Sequence, residues 1–174
     1  MFRFGTSLFV SILCFAGTSA MAQGMGQPTD PQIAHIAYTA GQIDIQAAKQ
    51  ALGKSKNKDV KAFAEEMVRD HEAVNKQALA LLNKLKIKPE DGTSKSLADA
   101  ASKKREELSK LSGDAFDMAY AENEVTYHQT VNGALEKTLI PAAQNEELKS
   151  LLQTGLKLFT EHEKHAENLV SELP

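Results

Sequence analysis

The chain has 174 residues, 42% of them hydrophobic, and 20 Lys and Arg against 23 Asp and Glu give a formal net charge of −3. That balance supplies no basic field to draw nucleic acid or anionic lipid. Its one cysteine, Cys14, lies inside an apolar N-terminal stretch, so the rest of the chain has no disulfide, no thiolate nucleophile and no cysteine-ligated metal.

Residues 1–22 read as a cleaved signal peptide. Arg3 gives a short positive start, "SLFVSILCFAG" an apolar core, and Ala20 and Ala22 the small residues before a cut at Gln23. The apolar run falls short of the roughly 20 residues that a spanning helix needs. The expectation is therefore a periplasmic protein with no stable membrane insertion after cleavage. Residues 23–30 read as a flexible leader, and 31–174 as a single domain long enough to bury its own core.

The first predicted helix starts at a cap on Thr29 or Asp30, with Pro31 suited to the first turn. Ile33, Ile36, Ala37, Ala40, Ile43, Ala47 and Ala51 recur at three and four residues, and Gly53 is the natural stop. The basic cluster "KSKNKDVK" that follows reads as a solvated turn between helices. In the second helix Val60, Ala64, Met67, His71, Val74, Ala78, Leu81 and Leu85 alternate spacings of 4 and 3, a bundle seam. Pro89 and Gly92 break it.

A weaker helix over about Ser96 to Leu111 carries only a thin apolar stripe. The third long helix is expected to be capped by Asp114, to show Phe116, Tyr120, Val131 and Leu135 on one face, and to stop near Leu139 before Pro141. The fourth begins between Pro141 and Glu146 and carries Leu148, Leu152, Phe159, Ala166 and Leu169. No segment alternates with period two. These elements predict an all-α four-helix bundle with an additional shorter helix in the long connection between the second and third helices.

At 100° per residue, five polar side chains fall on the apolar faces: Asp44, His71, Glu124, His128 and His162. Asp70 projects to the side of His71's face, His165 to the flank of His162's, and Asp117 reads as a first-turn capping acid. The long connection is sufficient to cross the bundle, which would make the second and third helices parallel. Counted from the helix ends, Asp44, His71, His128 and His162 then fall within about one to two turns of one level.

"AAKQALGKSKNKDVKAFAEEMVRDHEAVN", "GDAFDMAYAENEVTYHQ" and "LKLFTEHEKHAENL" resemble the three signature stretches of domain-of-unknown-function family 4142, secreted bacterial proteins with a ferritin-like helical bundle. The pattern of Asp70-His71, Phe116-Asp117, Tyr120, His128 and His162 carries the resemblance, and Asp44 stands where the family's first helix usually has glutamate. The resemblance implies a ferritin-like fold and an envelope location. It implies no activity.

Ferritin-like di-iron centres draw a Glu-x-x-His motif from each of two helices, and none occurs here: Glu124 and His128 are one residue too far apart. A single transition-metal ion (zinc, copper, manganese or iron) held by Asp44, His71, Glu124, His128 and His162 remains open. So does a metal-free layer, for example Asp44 with His71 and Glu124 with His162, that only fixes helix register in a structural or protein-interaction module. The first reading belongs with an envelope binding or stress-associated protein. An enzyme is the least supported, since no phosphate loop or nucleophile elbow is present. A protein partner or a second copy stays open.

Overall fold

The computed structural model describes residues 27–86 and 93–174; the signal-peptide reading lies outside them. Helix α1 spans Asp30–Lys54, α2 Lys58–Leu85, α3 Thr93–Ser109 and α4 Asp114–Ala134. A π-helical turn, Leu135–Leu139, and a last turn α5, Ile140–Ala142, extend α4, and α6 spans Glu146–Glu172. No strand occurs among the described residues.

Side-chain caps set most helix starts. Gln32 Oε1 accepts the Thr29 N–H (3.0 Å) at the head of α1. Asn57 Oδ1 accepts from Asp59 and Val60, and Asn145 Oδ1 from Glu147 and Leu148. Asp30 takes a different task from the expected cap: its two oxygens accept the backbone N–H groups of Gln144 (2.8 Å) and Asn145 (2.9 Å), tying the start of α1 to the start of α6.

Two expectations fail at the ends of α4. Its cap is Gly113 and not Asp114; the Gly113 carbonyl accepts from Phe116 and Asp117, and a φ of +57° there favours glycine. The helix also continues past Leu139. Pro141 would clash with the carbonyl four residues back in a regular α-turn, and the turn just before it widens so that the Ile140 N–H reaches Leu135 O.

Two apolar clusters show the topology. Ala47, Ala48 and Ala51 of α1 pack with Val60, Phe63 and Met67 of α2, Leu108 of α3, Phe116 and Tyr120 of α4, and Ala166 and Leu169 of α6. At the other end Ile33 and Ala34 meet Leu82, Leu135, Leu139, Leu148 and Leu152. So α1 and α2 are antiparallel, as are α4 and α6, while α2 and α4 run parallel. The intervening α3 lies along α1 in the same direction, pinned by His35 to Ser94 (2.5 Å), Gln50 to the Arg105 carbonyl (2.9 Å) and Lys54 to the Ser109 carbonyl (2.9 Å). The all-α bundle with an extra helix in its long connection is as the sequence predicts.

One glycine is fixed by close approach. A Cβ on Gly41 would lie 2.4 Å from Asn75 Oδ1 on the facing helix. Gly41→Ala is expected to lower stability by about 1–3 kcal/mol in urea unfolding, and an unchanged midpoint would show that Asn75 moves aside freely.

Candidate metal centre

Between the two apolar clusters lies a layer that one would expect to be filled with leucine. It holds Asp44 from α1, His71 from α2, Glu124 and His128 from α4 and His162 from α6, each at most 2% exposed. All five sequence-predicted residues therefore meet at one level, with every long helix contributing. Ligand-capable atoms of His71, His128 and His162 lie within 4.8 Å of one another, and so do those of Asp44, Glu124 and His128.

Asp44 Oδ2 is the hub, 3.3 Å from His71 Nε2 and 3.5 Å from His128 Nε2. Neither approach is aligned as a hydrogen bond: both Asp44 oxygens, both His71 ring nitrogens, His128 Nε2, His162 Nδ1 and Glu124 Oε2 are buried without a hydrogen-bond partner. Orphans at this density are costly, since each buried polar atom forfeits its hydration.

The outward nitrogens of two rings are well satisfied. His128 Nδ1–H donates to the Glu124 carbonyl (2.9 Å), which leaves the Nε2 lone pair facing Asp44. His162 Nε2–H donates to Asp70 Oδ2 (3.2 Å), leaving Nδ1 inward. Asp70 is in turn gripped by Arg69 at 2.7 and 3.0 Å. A ring whose far N–H is fixed by a carbonyl or carboxylate while its other nitrogen is bare is how protein histidines are oriented toward metals. Aromatic walls close the layer: Phe159 stacks on His71 at 4.5 Å and 8°, and Tyr127 meets His128 edge-on.

Burial also sets the protonation states. It pushes the Asp44 carboxyl up to about 8, and Glu124 rises well above the usual carboxylate range through burial and the neighbouring Asp44. His128 falls to about 4 by burial, and His71 falls well below the ordinary histidine value through burial and its two histidine neighbours. His162 is lowered by burial against the opposing pull of Asp70. Asp70 itself is held low by the Arg69 hydrogen bond, so it stays a carboxylate. Near neutral pH the inner layer is thus three neutral imidazoles and protonated acids, not ionised pairs.

The sequence profile of a family described as a domain of unknown function, DUF4142, matches residues 16–169. The chain belongs to DUF4142. No curated protein and no solved structure matches it.

Three sequence readings need correction in this DUF4142 chain. Asp70, set aside because its wheel position points away from His71, is engaged by His162 of the neighbouring helix. The pairing of Glu124 with His162 does not form; Glu124 Oε2 lies 3.8 Å from His128 Nδ1, one turn on and beyond hydrogen-bond reach. Asp117 lies in the first turn of α4 as read, but capping is not its whole setting: it is 3% exposed, with Oδ1 unpartnered. With Tyr120, Glu124 and His128 it continues a buried polar edge down α4. His165, judged off the face, does stay outside the layer: it bonds Glu66 Oε2 at 2.6 Å and its side chain is 48% exposed.

Proposed function

We propose that this protein binds one divalent transition-metal ion through His71, His128, His162 and Asp44. The observation that carries the reading is the set of buried donor atoms left bare, on Asp44 and on three histidine rings, two of them oriented from behind. Metal–ligand bonds of about 2.0–2.1 Å in a tetrahedron imply ligand–ligand edges of about 3.3–3.4 Å, and the two Asp44–histidine separations are 3.3 and 3.5 Å. A donor set of three nitrogens and one oxygen suits zinc best; copper, manganese and iron are the competing occupants. Glu124 lies within reach of Asp44 and His128 as a further oxygen.

The enclosure favours a holding role over catalysis. Structural sites close four protein ligands around the ion, whereas catalytic ones keep a position open to water or substrate, and these residues are at most 2% exposed. The proposed setting is the bacterial envelope: residues 1–22 read as a secretion signal, and no helix among the described residues is long and apolar enough to cross a membrane.

Elemental analysis of protein purified from the periplasm should find one ion per chain, absent after His71→Ala or His128→Ala. Absence of metal from the parent protein, with no uptake of any of the four ions, would end the proposal. Asp70→Ala, which frees the back of His162, is expected to weaken zinc about 10–100-fold in competition with a chromophoric chelator. An unchanged affinity would remove Asp70 from the site's support.

A further inference from the structure

Beyond the polar layer, toward the end where α1 begins, the bundle is underfilled. The side chains facing inward there include Ala34, Ala37, Ala40, Gly41, Ala78 and Gly155, too small to meet across the axis, and a cavity of about 120 Å³ remains. Larger apolar residues such as Leu82, Leu135 and Leu152 complete its wall, and the partly exposed Ile36, Leu97 and Val131 lie toward its rim. An apolar cavity of roughly 150 Å³ in another protein stays dry and takes up benzene. Water gains no adequate set of partners from such a wall.

Among the described residues the wall has three polar side chains, Asn75, Tyr127 and Thr130. Tyr127 Oη donates to the Ala40 carbonyl (2.7 Å) and Thr130 Oγ1 to the Thr126 carbonyl (2.8 Å), so both are spent. Asn75 is different. It is 4% exposed, seated against Gly41, and its Nδ2 has no hydrogen-bond partner. Among the described residues no lysine, arginine or histidine lines the cavity, so an anion would lose its hydration there without a counter-charge.

From these features we infer that the cavity is a binding site for a small neutral apolar molecule of about six carbons bearing one hydrogen-bond acceptor, such as a ketone, aldehyde or ester, its acceptor on Asn75. A free carboxylate of the same length is excluded by the wall's lack of charge. The inference is independent of the metal: the cavity's wall contains none of the four proposed ligands.

Isothermal titration of the mature chain with 2-hexanone and with hexanoate tests it, in zinc-loaded and chelator-treated protein alike. The ketone should bind and hexanoate should bind at least about 100-fold more weakly. Asn75→Leu should weaken the ketone about tenfold. Ala78→Leu and Ala37→Leu, which fill the space from two helices, should abolish binding while circular dichroism shows a retained helical fold and a cooperative melt. No ketone binding by the parent chain, equal binding of hexanoate, or undiminished binding in both filled variants would each overturn the inference.

Discussion

Zinc-loaded protein is expected to melt about 8–16 °C above the chelator-treated form when free zinc is about 1,000-fold over its dissociation constant. Mass action at that excess adds about 4 kcal/mol, and a domain of this size shifts by about 2–4 °C per kcal/mol. The gain would arise because the proposed ion satisfies His71, His128, His162 and Asp44, whose inward atoms are otherwise buried without partners. His128→Ala should lose most of the shift, since it removes the ring whose orientation is fixed by the Glu124 carbonyl. Differential scanning calorimetry decides the matter. Identical melting points with and without zinc would leave the layer as a polar spacer and no more.

The second expectation separates the two readings by sign. In metal-free protein, Asp44→Asn should raise stability at pH 8 while abolishing zinc binding. The Asp44 pKa is raised to about 8 by burial, so between its unfolded value and 8 the native state retains a proton that the unfolded chain has released. Its contribution is complete at low pH and declines as pH rises toward 8. From pH 6.5 to 8 that decline is about 2 kcal/mol from Asp44 alone, and Glu124, shifted in the same direction, steepens it. The three lowered histidines act on the acid side: below about 6.5 the unfolded chain takes up protons that the native rings refuse, so they pull stability down with falling pH. There the two raised acids offset two of the three.

Metal-free protein should therefore be most stable near pH 6.5, with the steeper loss above it. Zinc replaces the Asp44 proton, so zinc affinity should grow with pH across the same range. Guanidinium titrations of the parent and Asp44→Asn at pH 5, 6.5 and 8 provide the check. A network of ionised pairs predicts the reverse, with Asp44→Asn destabilising at every pH.

Much of this candidate centre is legible in the sequence. His71 occupies a seam whose other positions are Val60, Ala64, Met67, Val74 and Ala78, and a polar residue there must be buried once the helix packs. The length of the α2–α4 connection was enough to argue that His71 and His128 share a level. What stayed hidden has a common physical origin. A helical wheel describes one helix against an undefined partner, so it could not show that His162 reaches across to Asp70 at the edge of α2. Asp117 matched first-turn chemistry well enough to mask its burial. The widened turn before Pro141 is one solution to a proline clash among several, and a stop at Leu139 was another. The cavity was invisible because it is volume left empty between alanines and glycines that read, singly, as ordinary helix formers and packing contacts.

The parallel arrangement of α2 and α4 has a kinetic consequence. Each antiparallel pair, α1 with α2 and α4 with α6, is a local hairpin. The proposed ligands are split evenly between them, Asp44 and His71 on one and His128 and His162 on the other. Neither hairpin alone offers more than two of the four, so capture of an ion would rivet the two halves. Release would then await their parting, a sub-global opening far rarer than any side-chain motion. The centre would then behave as a latch whose off-rate is set by the fold and not by the chemistry of the four bonds.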